Sequence, residues 1–385
     1  MRTALLLMMW LGFAASAMAD QQFEFAPFEI PEGGRIVVPV GEGDALYGIA
    51  AMIDKRTSGA LTVAAREATF VGEAGTTLTL RGISPYSRID LIGTGSATLT
   101  RAAAENFGGT ASALLGDTTG GSVHILWPAE NIDAQATAAR VAFGYRLRSY
   151  RFDGYKSEQV DRESLPTVRL LSDDGSEEQF KNDLLHLADG VFFSRNMSSE
   201  PANHIYPQSF VDRANEQFRG LDNVKIKVLD EKDIQRLNMG ALWGVGKGSS
   251  RPPRLLIIEY MAGGDEVPVV LAGKGITFDT GGISLKSNDK MWMMKGDLGG
   301  AGVVTGTVLA AARRGAPINV VALAALAENM PSGTASRPGD LLSTMSGITV
   351  EIASTDAEGR LVLSDAVHYG QVTYTPSVLI DVATL

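Results

Sequence analysis

Up to about residue 160 the chain alternates short apolar runs with turn residues. Residues 35–40 (R-I-V-V-P-V), 77–80 (T-L-T-L) and 123–127 (V-H-I-L-W) are rich in β-branched and aromatic side chains and predict strands. Residues 134–150 predict a helix. Polar residues dominate from 153 to 178, and residues 161–178 are read as a linker. Beyond it the pattern changes. Helices are predicted at 184–193, 207–218, 299–314 and 361–372, and strands at 254–260, 267–272, 318–327, 348–353 and 378–385. The strands are continuously apolar, as they are when helices cover both faces of a sheet. The part from 179 onward is therefore expected to be an α/β domain.

The first residues follow neither pattern. Arg2 supplies a positive start, and residues 4–15 form an apolar run broken only by Gly12. Ala17-Met18-Ala19 is a small-x-small cleavage site, followed by polar Asp20-Gln21-Gln22. That order is a secretory signal peptide over residues 1–19. The run is shorter than the ~20 residues that a span needs. A periplasmic or secreted protein is expected, with no membrane span after cleavage.

Composition then narrows the chemistry. A chain of 385 residues is long enough for two domains, each with its own core. The absence of Cys excludes disulfides, thiolate zinc sites, iron–sulfur clusters and Cys nucleophiles. The four His, at 124, 186, 204 and 368, are too scattered to predict an all-His metal site. The formal charge of −10 argues against nucleic acid as a partner. Any metal chemistry must fall to carboxylates.

Charge concentrates among glycines at two strand ends of the second domain, where open α/β sheets bind their ligands. The first is G-K-G-I-T-F-D-T-G-G-I-S-L-K at residues 273–286, holding Lys274, Asp279 and Lys286. Asp297 follows, just before Gly299, and a helix N-cap is its plainer reading. The second is S-T-D-A-E-G-R at residues 354–360. Asp356, Glu358 and Arg360 are two apart, so an extended backbone would project all three from one face. Asp279, Asp297, Asp356 and Glu358 would repel one another at close range unless cations lay between them. Oxygen ligands suit Mg, Mn or Zn, and carboxylates bridging two such ions would build a centre that activates water. Competing motifs are weaker. G-V-G-K-G-S-S at 244–250 lacks the ending of a phosphate loop, and S-N-D-K at 287–290 fits S-x-x-K with no K-T-G after it. Neither G-x-S-x-G nor H-E-x-x-H occurs.

Residues 354–361, S-T-D-A-E-G-R-L, resemble the N-T-D-A-E-G-R-L signature of the leucyl (cytosol) aminopeptidase family of metallopeptidases. Residues 273–286 resemble the family's other signature at all fourteen positions. The segments at 150–156, 200–203 and 240–255 are also similar to family segments. The likeness spans most of the chain after residue 20 and is strongest from about 195.

The resemblance implies two α/β domains. They are a smaller N-terminal one over 20–160 and a C-terminal catalytic one over 179–385 with a mixed, mostly parallel sheet covered by helices. It implies a metal-dependent aminopeptidase that releases N-terminal residues, leucine-like ones among them, from peptide substrates. Two divalent ions per subunit, Mn²⁺ or Zn²⁺, would be held by Lys274, Asp279, Asp297, Asp356 and Glu358. Asp279 and Glu358 would bridge them. Lys286 and Arg360 fall on the family's catalytic positions, Arg360 with a bicarbonate. A homo-hexamer is implied too. Ser354 replaces the family's Asn, and Gly296 and Leu298 flank Asp297 where bulkier residues are common. The family's signal-free members are mainly cytoplasmic, and they continue past the equivalent of Leu385. The chain is accordingly expected to lack the C-terminal part of the catalytic domain. An inactive fragment, or a periplasmic scaffold with the same fold, is the alternative reading.

Overall fold

The computed structural model describes residues 23–385 apart from 44, 96–97, 117, 129–133 and 158–163. The signal segment and the start of the linker lie outside the described residues. The chain divides into two compact units, residues 1–177 and 178–385.

The first unit holds β1 (Phe23–Ala26), β2 (Gly34–Gly41), α1 (Gly48–Arg56), α2 (Ala60–Glu67), β3 (Thr77–Ile83), β4 (Tyr86–Gly95), α3 (Arg101–Leu115), β5 (Ser122–Leu126), α4 (Ala138–Arg148) and β6 (Thr167–Leu171). Its sheet has the order β1-β6-β5-β2-β4-β3 and is parallel except for β3 against β4. The predicted strands all form, and the predicted helix is shorter at both ends. β6 lies within the stretch read as a linker. Its apolar residues Val168, Leu170 and Leu171 are too few, among charged neighbours, to register as a strand in a sequence scan, yet they are buried between β1 and β5.

At the boundary of the two units α5 (Glu177–Gln179) begins, and it runs through a π-helical turn into α6 (Leu185–Ser199) of the second unit. There follow α7 (Pro207–Gln217), β7 (Val224–Leu229), α8 (Glu231–Arg236), α9 (Gly240–Gly246), β8 (Arg254–Met261), β9 (Val269–Asp279), a 3₁₀ segment (Met291–Leu298), α10 (Gly299–Arg313), β10 (Asn319–Asn329), β11 (Leu341–Ser343), β12 (Thr349–Glu351), α11 (Glu358–Tyr374) and β13 (Val378–Val382). The sheet order is β13-β9-β10-β8-β7. β13, β9 and β10 pair in parallel, while β8 is antiparallel to both neighbours, so β8 alone is reversed. The strand predicted at 348–353 shrinks to β12, which pairs only with β11 in a small hairpin off the main sheet.

Two apolar layers cover this sheet. On one face Leu361, Val362 and Ala366 of α11 and Leu242 of α9 meet Val270, Ala272, Ile276, Leu323 and Ala325. On the other, Phe193 of α6, Phe210 of α7 and Val304 and Val308 of α10 meet Leu256, Ile258, Ala322 and Ala324. Small residues let α6 and α10 approach closely: a Cβ on Gly306 would stand 2.3 Å from the carbonyl oxygen of Gly190. This three-layer packing fixes the carboxyl ends of β9, β10 and β13 side by side.

Candidate functional site

Lys274 and Asp279 are both in β9, which runs seven residues beyond the predicted strand end at Ala272. They stand five positions apart, so strict alternation would point them to opposite faces. The register prevents this. Ile276 pairs with Ala327 but Phe278 pairs with Glu328, leaving Thr277 as an extra residue. Its hydroxyl donates to the carbonyl of Ala327 at 3.3 Å. The bulge returns Asp279 to the face of Ile276 and Lys274, the face packed by α11. A purely periodic reading of the sequence could not have found it.

Asp356 and Glu358 come to this face from above. They do not share an extended backbone, as the sequence reading expected: residues 354–357 turn, and α11 starts at Glu358, three residues before the predicted helix. A carboxylate in the first helical turn suits the positive end of the helix dipole. One oxygen each of Asp279, Asp356 and Glu358 lies within 4.8 Å of the others. Asp279 and Glu358 are buried and Asp356 is exposed.

Asp297 is not the N-cap of α10. That position belongs to Leu298, and Asp297 lies in the last turn of the 3₁₀ segment before it. Its Oδ1 accepts from Lys274 Nζ at 2.9 Å and from Thr384 Oγ1 at 2.6 Å. Lys274 Nζ also meets Glu358 Oε1 at 3.0 Å and donates to the carbonyl of Thr384 at 3.0 Å. Lys286 Nζ bridges Asp279 Oδ2, at 2.9 Å, and Asp356 Oδ1. Arg360 is exposed in the first turn of α11, and its side chain forms no ion pair among the described residues. Ser287 and Lys290 are both exposed and belong to no such cluster.

Charge is unbalanced here, with four carboxylates against two lysines. Burial, then the charge of Asp279, pushes the Glu358 carboxyl above the ordinary range. Burial likewise raises Asp297, with Thr384 and Lys274 pulling the other way. Burial lowers Lys274, but Asp297 and Glu358 outweigh it and leave the ammonium above its usual value. Lys286 is lowered by burial and raised more strongly by Asp356 and Asp279. Two buried oxygens, Asp297 Oδ2 and Glu358 Oε2, have no hydrogen-bond partner. A buried carboxylate oxygen without a donor is costly. The oxygen-rich donor set, its excess negative charge and these two orphaned atoms fit divalent cations.

The sequence reading missed three supporting residues. Thr384 touches both Lys274 and Asp297. Gly359 leaves room for Lys274, since a Cβ there would stand 2.5 Å from its Cε. Asn329 donates to Asp279. None carries a charge, so nothing in composition or charge spacing marks them.

A family model described as "Cytosol aminopeptidase family, catalytic domain" matches residues 192–385, and the family's N-terminal domain model matches residues 37–159. The chain is 40% identical over 379 residues to the probable cytosol aminopeptidase of Caulobacter vibrioides, covering 94% of this chain and 75% of that protein. The protein of the same description from Brucella suis is 40% identical over 373 residues, covering 94% and 74%. Among solved structures, the bottromycin maturation enzyme BotP in complex with Mn superposes with a TM-score of 0.75 at 27% identity, over 92% of this chain and 72% of that one. A mutant of tomato leucine aminopeptidase shares the fold, with a TM-score of 0.82 at 24% identity over 95% and 74%.

Proposed function

The chain belongs to the cytosol aminopeptidase family and is a peptidase of the aminopeptidase class, and from that premise we propose that Lys274, Asp279, Asp297, Asp356 and Glu358 hold two divalent cations, Mn²⁺ or Zn²⁺. The observation that supports this most is the pair of buried, unpartnered oxygens on Asp297 and Glu358, set beside a carboxylate excess. Divalent cations would supply a Lewis-acid centre that activates water and anchors the free α-amine of a peptide. Asp279 and Glu358 would serve both ions, Asp356 would contribute to one, and Lys274 and Asp297 would contribute to the other. As a ligand Lys274 must be neutral, and positive charge in the cluster would reverse the carboxylate field that now raises it.

The other roles belong to residues at the rim. Lys286 is less buried than Lys274. Its ammonium is suited to donating to the carbonyl oxygen on which charge develops. Arg360, exposed and without an ion pair, is suited to holding a bicarbonate that accepts a proton from the attacking water. The substrates would be peptides with a free N-terminus. The assembly as a homo-hexamer and the export directed by residues 1–19 are part of the same proposal. No helix among the described residues is long and apolar enough to cross a membrane.

Hydrolysis of leucine p-nitroanilide in the presence of Mn²⁺ tests the assignment. Asp279→Ala and Lys286→Ala should each lose at least about two orders of magnitude, as removal of a single electrostatic donor does. Equal rates in the parent and both variants would refute it.

A further inference from the structure

β10 ends in an asparagine at each extremity, Asn319 and Asn329, both buried and both hydrogen bonded. They do different things. Asn319 ties up a turn at the far end of the strand: its Oδ1 accepts from Gly263 N, and its Nδ2 donates to the carbonyls of Gly264 and Glu266. Asn329 sits opposite Asp279 in the register. Its Nδ2 donates to Asp279 Oδ1 at 2.8 Å and to the carbonyl of Thr355 at 3.0 Å. Its own carbonyl accepts from the amide and hydroxyl of Thr280.

Asp279 Oδ1 thus receives two neutral donors, the Asn329 amide and the backbone N–H of Gly281, both at 2.8 Å. Oδ2 is left to face Lys286 and the carboxylate cluster. The second Asn329 bond reaches Thr355, next to Asp356 in the turn. One amide group therefore sets the rotation of one carboxylate and the height of the loop that carries the next. There is little slack around it, because a Cβ on Gly282 (φ +68°) would lie 2.8 Å from Asn329 Oδ1.

We infer that Asn329 is a positioning residue for the cation centre, orienting Asp279 and the Asp356 turn as hydrogen-bond partners of metal ligands do. The inference rests on the proposed role of Asp279 as a ligand. Truncating such a partner typically weakens metal binding by about 10–100-fold.

The test is titration of the apo form of the full chain with Mn²⁺ by calorimetry, beside its thermal unfolding. Asn329→Ala should bind Mn²⁺ about 10–100-fold more weakly than the parent. Asn319→Ala removes three side-chain bonds from the same strand, against two for Asn329→Ala; it should lower the unfolding temperature and leave Mn²⁺ affinity unchanged. Asn329→Ser, too short to reach both Asp279 and Thr355, is read in the same way if the alanine variant does not fold. Parent-like affinity in the Asn329 variants, while Asp279→Ala abolishes binding, would overturn the inference and spare the ligand assignment. Parent-like affinity in Asp279→Ala would overturn both. Equal loss of affinity in Asn319→Ala and Asn329→Ala would reduce Asn329 to a stabilising residue and overturn the inference.

Discussion

Gly359→Ala separates the stability of this fold from the placement of one side chain. Gly359 is the second residue of α11, and its φ is not positive, so alanine can adopt its backbone. On propensity alone the change favours the helix by about 0.5–1 kcal/mol. The new methyl, however, would stand 2.5 Å from Lys274 Cε, 2.6 Å from Cδ and 2.9 Å from Nζ. Normal carbon contacts begin near 3.5 Å, so Lys274 must retreat by about 1 Å. It is a flexible side chain, so the retreat costs little folding energy. It does pull Nζ out of register with Asp297 at 2.9 Å and Glu358 at 3.0 Å. A displacement of about 1 Å in a reacting constellation can cost about 100-fold, equivalent to ~2.7 kcal/mol of barrier. The expected outcome is an unfolding temperature within a few degrees of the parent and a kcat/KM for leucine p-nitroanilide lower by at least tenfold. Circular dichroism and steady-state kinetics at saturating Mn²⁺ measure the two. A kcat/KM within twofold of the parent would refute the placement of Lys274 in the centre.

Three further predictions concern the scaffold. Asp365, fully buried on α11, accepts from the amides of Ala241 and Leu242 at 2.9 Å and of Met345 at 2.8 Å. Asp365→Ala strands three donors and should destabilise the protein by about 3–5 kcal/mol in urea denaturation. Burial raises the Asp365 carboxyl above the ordinary range despite those amides. The folded form therefore holds the proton more tightly than the unfolded one. Its contribution to stability is full below about pH 4 and is lost as pH rises through the raised value. Asp365→Asn should flatten that part of the pH–stability curve. Gly306→Ala drives backbone against backbone at Gly190 and should cost about 1–3 kcal/mol in thermal unfolding with Mn²⁺ affinity intact.

The signal in the sequence and the signal in the fold were of different kinds. Continuous apolar runs identify β8 and β10 because a strand covered on both faces needs nothing else. Motif likeness brings out Lys274, Asp279, Asp356 and Glu358 because the charges stand among glycine and apolar neighbours. Periodicity ended β9 at Ala272, since Gly273 and Gly275 are poor strand formers in isolation; pairing with β10 overrides that weakness. Asp297 read as a cap because the local preference is strong, whereas its actual partners, Lys274 and Thr384, are remote in sequence. Asn329 and Gly359 are invisible to any reading by charge or period, for their roles exist only through neighbours that the fold supplies.

Thr277 has a further consequence. Because one surplus residue in β9 decides which side of the sheet Asp279 faces, the bulge at Thr277 behaves as a parity bit. Exchanging Gly275, Ile276 or Phe278 for another residue leaves the parity intact and perturbs only packing. Straightening the bulge with all five positions kept would invert it and turn the carboxylate toward the α10 layer, with every ligand still written in the chain. Loss of the surplus residue would instead restore plain alternation and leave Asp279 on the α11 face. A sequence can therefore keep all its charged positions and still lose the centre, because the pairing of that one surplus residue sets the face on which the carboxylate stands.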